Sequence, residues 1–258
     1  MHPKRNLSFC CLALVVLVAL SGQAFAGSSV TVGLCAGPGI HYLTIQSAVT
    51  AVPAGGTVRV CPGTYPEQVS INKNLTLIGV STGTSDAVVI VPPAGGVLQN
   101  TTDVCPALYS AFCTNGAPIA AQVLVTSGPV SISNLTVDGF GNGLPSCSGT
   151  DLMGILFQNA SGTVNHVAVR NQVTGDTVNG CQAGKGIYVE SSTGTSTVTV
   201  ENSSVHNYSK NGITGRYPGT TLTATGNYVQ GSGVQPAGDA QNGIEIASEP
   251  GERSRATP

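Results

Sequence analysis

The chain is poor in charge. Of its 258 residues only 9% are Asp, Glu, Lys or Arg, and the formal net charge at pH 7 is −2. Binding of nucleic acid needs a basic patch, so this composition excludes a nucleic-acid partner. Aromatic residues are also scarce, at 5%, yet 41% of the residues are hydrophobic and stand in short runs of valine, isoleucine and threonine. Such runs predict packed β-strands and not a disordered chain.

Beyond residue 26 the chain also lacks any apolar run long enough to span a membrane. Before that point, Lys4 and Arg5 precede a short apolar run over residues 9–20, and the small residues Ala24 and Ala26 follow it. This order is typical of a secretory signal peptide. We therefore predict a signal peptide over residues 1–26 and a secreted, periplasmic or extracellular protein that has no membrane attachment after cleavage.

Two of the eight cysteines lie in the predicted signal peptide. The six others are Cys35, Cys61, Cys105, Cys113, Cys147 and Cys181. An even number in an exported chain predicts disulfide bonds, with roughly 15 possible pairings. Cys35 and Cys61 each follow a β-rich stretch and can pair across adjacent strands; Cys105 and Cys113 can close one loop, which leaves Cys147 with Cys181. Zinc is the rival hypothesis, but there is no CxxC spacing and no nearby histidine, so no metal site is predicted.

Two short phrases alternate along the second half of the chain. One begins Gly-Ile, at Gly154, Gly186, Gly212 and Gly243; the other ends in valine, at Val137, Val169, Val205 and Val229. Recurrent β phrases separated by turn residues are typical of a solenoid whose coils stack on one another. Asn134 and Asn202 both stand three residues before the valine, which predicts an internal ladder of amide side chains.

A short helix is predicted near the start of the mature chain. Thr44 is a suitable N-cap for a helix over residues 45–52, and Pro53 ends it. One side of this helix is apolar, with Ile45, Ala48, Val49 and Val52. We expect the helix to cap the first coil, because the end of a solenoid otherwise exposes unpaired backbone groups.

Four segments around this helix carry a resemblance to a known family. They are residues 42–49 (YLTIQSAV), 54–60 (AGGTVRV), 62–67 (PGTYPE) and 75–79 (LTLIG). Together they resemble the opening of the pectin-lyase-like right-handed parallel β-helix superfamily. The resemblance implies an all-β fold, a right-handed parallel β-helix over residues 27–247 with a short N-terminal capping α-helix. Residues 248–258 abandon the β pattern, and we expect there either a short polar cap or a truncated solenoid.

The resemblance also implies a class of partner. Members include polysaccharide lyases, pectinesterases and polygalacturonases, which bind a sugar chain in a groove along the stacked strands. We therefore expect an extracellular polysaccharide partner, pectin-like or another acidic glycan. Catalysis stays open, because the chain has no Asp-Asp or Asp-x-Asp pair and no Gly-His-Gly string. Calcium is expected only through the resemblance, and no other cofactor is indicated. The alternative is a non-catalytic surface or structural solenoid; the oligomeric state is not predicted.

Strand alternation indicates which side chains would meet a ligand. Ile155, Ile187 and Ile213 are expected to point inward, and the residues next to them outward. Two outward polar sets result, Tyr188 with Glu190 and Arg216, and Asp138 with Arg170 and His206. We predict that these six residues bind sugar, because they offer an aromatic face, cations, carboxylates and an imidazole. The alternative for both sets is a solvated ion pair at the surface.

Overall fold

The computed structural model describes residues 28–81, 83, 85–106, 115–145, 149–174, 183–233 and 241–247. The predicted signal peptide and the residues of the C-terminal tail lie outside this part of the chain, so both stay predictions. Within it, no helix is long and apolar enough to cross a membrane.

Short parallel strands dominate the described residues. In chain order they are β1 (Ser29–Val32), β2 (His41–Tyr42), β3 (Thr57–Val60), β4 (Gly63–Pro66), β5 (Val69–Ile71), β6 (Leu75–Gly79), β7 (Val88–Val91), β8 (Thr101–Thr102), β9 (Pro118–Val125), β10 (Val130–Asp138), β11 (Asp151–Gln158), β12 (Gly162–Gln172), β13 (Lys185–Glu190), β14 (Ser196–Glu201), β15 (Ser204–Tyr208), β16 (Asn211–Arg216), β17 (Thr220–Thr225), β18 (Tyr228–Gln230) and β19 (Asn242–Ala247). One α-helix, α1 (Ile45–Ala51), and one short 3-10 helix (Ser85–Ala87) accompany them.

These strands stack into three parallel layers. The first sheet runs β5-β9-β11-β13-β16-β19, and the second runs β1-β3-β6-β10-β12-β14-β17. The third sheet joins β4, β7, β15 and β18 through the later halves of β10 and β12. The chain visits the three sheets in turn and returns one coil further along, which makes a right-handed parallel β-helix with one capping helix, as the sequence predicts.

The stacking register agrees with the repeat found in the sequence. Ile155 pairs with Ile187, Ile187 with Ile213 and Ile213 with Ile244. In the third sheet the partners are Val137, Val169, Val205 and Val229, each on the next coil. Six of these side chains are fully buried, Val229 is partly buried and Ile244 is 47% exposed. Each buried Val or Ile contributes about 1.5–3 kcal/mol of hydrophobic stabilisation. The predicted inward columns are therefore confirmed except at Ile244.

Steric contacts explain why glycine occurs at the first position of the Gly-Ile repeat. A Cβ atom on Gly154, Gly186 or Gly212 would lie 2.5, 2.3 or 2.4 Å from a valine Cγ1 of the same coil. Those valines are Val169, Val205 and Val229. Carbon atoms cannot approach so closely, so the glycine lets the first and third sheets meet inside the coil. One contact thus explains why both phrases of the repeat occur together.

Helix α1 begins and ends close to the predicted positions. Thr44 is the N-cap, and its hydroxyl accepts a hydrogen bond from Ser47 N at 3.2 Å. The apolar side of the helix is buried against the first coil. Sequence reasoning missed Glu67, whose carboxylate accepts hydrogen bonds from Ile45 N and Gln46 N, both at 2.8 Å. This carboxylate satisfies backbone donors that a helix start leaves without partners.

The predicted internal amide ladder is wrong in its location. Asn134 and Asn202 adopt φ values of 55° and 49°, as does His166 at 53°, and they form the bend between the second and third sheets. Asn202 is exposed there. Asparagine tolerates this left-handed region better than most residues, which accounts for its use at the bend. An amide ladder does occur elsewhere, where Asn207 Nδ2 donates to Asn171 Oδ1 at 2.6 Å.

One predicted disulfide is confirmed. Cys35 and Cys61 are bonded, with Cα atoms 5.6 Å apart, and they join the ends of β1 and β3. Cys105 is disulfide-bonded as well. Cys113, Cys147 and Cys181 lie outside the described residues, so the remaining two pairings stay predictions.

Candidate functional site

The outward side chains of β11, β13 and β16 form what we call the first-sheet face. Gln158, Glu190 and Arg216 are register neighbours on successive coils, and Tyr188 stands one alternate position before Glu190. Because every second residue of a strand points the same way, the predicted outward set does share one face. The side chains are brought together by coil stacking and not by proximity in the sequence.

The sequence predicts that this face is open to water, but in the structure it is closed. Tyr188 is 2% exposed and Glu190 is 1% exposed. Residues 97–103, which we call the strap, cross the face and bind to it. Thr101 Oγ1 donates to Gln158 Oε1 at 2.7 Å, and Gln158 Nε2 donates to Thr102 O at 2.8 Å. The strap comes from a distant part of the chain, so strand alternation could not reveal it.

Two carboxyl groups of this face, Glu190 and Asp151, have pKa values that burial raises. Glu190 Oε1 accepts a hydrogen bond from Gln158 Nε2 at 2.7 Å. Burial raises the pKa of Glu190 to about 7, and the charge of Asp103 adds to the rise, while Gln158, Arg216 and Lys185 oppose it. No ion pair joins Glu190 to Arg216 among the described residues. A carboxyl group with a pKa near neutrality can give or take a proton at physiological pH.

Two cations and two phenols surround this carboxyl group. Arg216 Nη1 donates to Tyr188 OH at 3.1 Å, and the guanidinium lies 5.1 Å from the ring centre of Tyr217. Lys185 Nζ lies 5.1 Å from the ring centre of Tyr188 and forms an ion pair with Asp151. Burial raises the pKa of Tyr188 well above its usual value, so this phenol stays protonated and can donate. The face therefore combines cation–π contacts with hydrogen-bond donors.

Sequence reasoning found part of this face and missed the rest. Tyr217 directly follows Arg216 of the predicted set, and Lys185 stands just before Gly186 of the repeat, which was a usable signal. Asp151 begins β11, one coil away from Lys185. Asp103 comes from the strap, and no spacing rule connects it with Arg216 in the sequence.

The second predicted set lies on the third sheet, and we call it the third-sheet column. Asp138, Arg170 and His206 are register neighbours on three successive coils. Arg170 Nε donates to Asp138 Oδ2 at 2.8 Å, and Nη1 donates to Asp86 Oδ1 at 2.9 Å. Burial raises the pKa of Asp138, but hydrogen bonds from Asn171 and Arg170 outweigh it and hold the pKa below its usual value. This carboxylate is therefore a poor proton donor near neutral pH.

A groove of about 490 Å³ adjoins the third-sheet column. Its walls include Phe140, which is 80% exposed, together with Asn142, Leu144 and the Asn171–Asn207 amide pair. An exposed ring beside planar amides can contact a sugar. Among the residues that the structure describes, no group of three His, Cys, Asp or Glu side chains could hold a metal ion.

No family model matches the chain, and no curated protein matches it. Among solved structures it is similar to the pectin methylesterase from Aspergillus niger, with 16% identity and a TM-score of 0.35 over 92% of this chain and 93% of that one. It is also similar to the pectin methylesterase PemA from Erwinia chrysanthemi, with 14% identity and a TM-score of 0.33 over 76% of this chain and 66% of that one.

Three parallel sheets in successive coils, with a helix at the first coil, decide the architecture. The chain is a right-handed parallel β-helix. The resemblance seen in residues 42–79 is thus confirmed at the level of fold. In this β-helix the six predicted binding residues stay a prediction, now divided between a buried face and a partly exposed column.

Proposed function

We propose that this is an exported protein that binds an acidic polysaccharide along the first-sheet face. The observation that carries the proposal is the concentration of charge on this face in a chain of which only 9% of the residues are charged. Lys185, Arg216, Glu190 and Asp151 all lie there, within reach of two tyrosine rings. Burying charge is costly, and Glu190 and Lys185 are more deeply buried than the charges of the third-sheet column, so their burial calls for a functional reason.

The chemistry of the face suits a carboxylated sugar. Arginine presents a planar set of donors that matches a carboxylate, and lysine adds a compact positive charge. Tyrosine rings offer flat apolar surface to a pyranose ring, with a hydroxyl at the edge. The amide of Gln158 can serve as donor and acceptor to sugar hydroxyls.

Processing of the glycan is a further part of the proposal, second to binding. Glu190, with a pKa of about 7, is the group that we assign to proton transfer, since a general acid or base works best when its pKa lies near the working pH. The chain lacks the catalytic sequence motifs of the enzymes in the superfamily, so the proposal does not choose between lyase, esterase and hydrolase chemistry.

Export is supported by chemistry within the described residues. The Cys35–Cys61 disulfide is of a kind that persists in oxidising compartments. Together with the predicted signal peptide, it supports a secreted or periplasmic location.

A non-catalytic, structural solenoid is the second candidate, and one observation favours it. Tyr188 and Glu190 are both nearly inaccessible beneath the strap. A face that never opens would act only as an interior polar layer, and the protein would then be a rigid rod.

Two arginines on different faces provide a matched test. Oligogalacturonate and alginate oligomers would be titrated by calorimetry against the wild type, Arg216→Ala and Arg170→Ala, with circular dichroism as the control for folding. We expect Arg216→Ala to weaken binding at least about tenfold, the loss of one charge-assisted contact, and Arg170→Ala to retain it. If both variants bind as well as the wild type, the first-sheet face is not the binding site. The same conclusion follows if the wild type shows neither heat of binding nor a thermal shift with these oligomers.

A further inference from the structure

The strap is attached to the first sheet by side-chain amides that imitate strand pairing. Gln68 Nε2 donates to Leu98 O at 2.9 Å, and Leu98 N donates to Gln68 Oε1 at 2.8 Å. Asn100 makes the same double contact with Ala121, at 2.8 and 3.0 Å. Beyond these amides, the backbone of residues 100–103 runs antiparallel to residues 117–119, through β8 and β9 and through bonds from Asn100 N to Ile119 O and from Asp103 N to Ala117 O. The attachment is thus a short antiparallel pairing at one end of the strap and side-chain amide bonds at the other.

The two ends of the strap are anchored more firmly than its middle. Val97 is buried in an apolar cluster with Ala120 and Leu152. Cys105, just beyond the other end, is disulfide-bonded and buried. Between these anchors Leu98 is 71% exposed, so little apolar burial holds the middle down. A segment with few apolar contacts opens at a small fraction of the free energy of global unfolding.

The strap places one carboxylate on the cationic part of the face. Tyr217 OH donates to Asp103 Oδ1 at 2.9 Å. Burial is the larger cause of the raised pKa values of Tyr217 and Glu190, and the negative charge of Asp103 adds to both rises. Burial lowers the pKa of Arg216, but the pKa is raised overall, and Asp103 adds to this rise after the larger contribution of Tyr188. Asp103 N in turn donates to Ala117 O at 2.8 Å, which fixes the backbone that carries this carboxylate.

We propose that Arg216 and Tyr217 form a carboxylate-recognition site, that Asp103 of the strap occupies it, and that a uronate of an acidic glycan binds there by displacing the strap. The inference rests on the proposed function, and it adds the ligand group that is recognised and an autoinhibitory segment. It also explains how Tyr188 and Glu190 can be binding residues while they are buried. Their access depends on an exchange of one carboxylate for another at the same site.

The matched experiment removes the charge of Asp103 and keeps its shape. Asp103→Asn and the control Glu201→Gln, which removes one negative charge from the second sheet, would be titrated with oligogalacturonate and with its methyl-esterified form. We expect Asp103→Asn to bind oligogalacturonate about tenfold more tightly than the wild type, equivalent to about 1.4 kcal/mol. Glu201→Gln should bind like the wild type, and the esterified oligomer should show no gain.

The outcomes separate this inference from the proposed function. If the wild type binds oligogalacturonate and Asp103→Asn binds it no better, the strap inference fails and the proposed function stands. If the Asp103→Asn variant gains as much affinity for the esterified oligomer as for oligogalacturonate, the idea that Asp103 and a uronate carboxylate compete for one site is overturned. Binding by neither protein would overturn both proposals.

Hydrogen exchange gives a second readout that needs no variant. The amides of Leu98, Asn100 and Asp103 are bonded in the closed strap to Gln68, Ile119 and Ala117. If oligogalacturonate displaces the strap, these amides should exchange faster in its presence, while those of the buried strand β13 should not change. Slower exchange of the strap amides would mean that the sugar binds over a closed strap, and it would overturn the proposal.

Discussion

The first-sheet face and the third-sheet column both arise from the stacking of equivalent strand positions, but the first is buried and the second is partly exposed. Both bring together a carboxylate, an arginine and a ring side chain: Asp138, Arg170 and His206 are in register on three coils, whereas Glu190 is in register with Arg216 and shares its strand with Tyr188. On the first sheet the strap binds to Gln158, the neighbour of Glu190, and the buried Glu190 has a pKa raised to about 7. On the third sheet Asp138 receives several hydrogen bonds, and its pKa falls. The difference shows that the coil repeat determines which side chains lie together, whereas their burial and hydrogen bonds determine their pKa values.

Burial of the ring is the largest difference between the two regions. Tyr188→Ala removes a fully covered aromatic side chain and should lower the free energy of unfolding by about 3–5 kcal/mol. His206→Ala, on the partly exposed column, should change it by no more than about 0.5 kcal/mol. Urea unfolding of both variants measures this contrast. Equal costs would mean that the strap does not seal the first-sheet face in solution.

The response to pH sharpens the comparison at the carboxyl groups. Folded Glu190 keeps its proton up to about pH 7, and the unfolded chain releases it near its ordinary value of 4.5. The contribution of Glu190 to the free energy of unfolding is therefore complete below pH 4.5. Between pH 4.5 and pH 7 this contribution falls by about 3 kcal/mol. Asp138 acts in the opposite sense, since its lowered pKa stabilises the fold above its ordinary pKa of 3.8 and loses this effect only in stronger acid.

Glu190→Gln isolates the first of these effects, because glutamine keeps the shape of the side chain and cannot titrate. Between pH 5 and pH 8 the stability of the wild type should fall relative to that of the variant. Urea midpoints at several pH values measure the difference. Parallel curves for the two proteins would show that Glu190 is solvated and has an ordinary pKa.

The smallest effect is expected at the edge of the third-sheet column. Asp86 has a side chain that is 58% exposed and pairs with Arg170. Asp86→Asn should therefore cost less than about 1 kcal/mol, because water screens an exposed ion pair. The cost should shrink further at high salt, which thermal unfolding at low and high ionic strength would reveal. A cost that salt leaves unchanged would mean that this pair acts as a buried one.

Local patterns predicted a large part of the fold. The N-cap at Thr44 and the apolar side of α1 follow from short-range rules that need only neighbouring residues. The register of Ile155 with Ile187 follows from the repeat, because identical phrases stack at identical positions in a solenoid. The amide ladder was misplaced because Asn134 and Asn202 serve the backbone bend with their left-handed φ angles, a role that spacing alone does not distinguish from stacking.

By itself the sequence determined which side chains point out of the coil, since the strand period of two and the coil repeat are both written in it. It also predicted the Cys35–Cys61 bridge as one possible pairing, because each cysteine follows a β-rich stretch, and the structure shows that the two strands, β1 and β3, are paired. Only the tertiary structure decided which outward residues meet water. The strap reaches Gln158 and Tyr217 across 57 and 114 residues of chain, and such long-range contacts leave no periodic trace in the sequence.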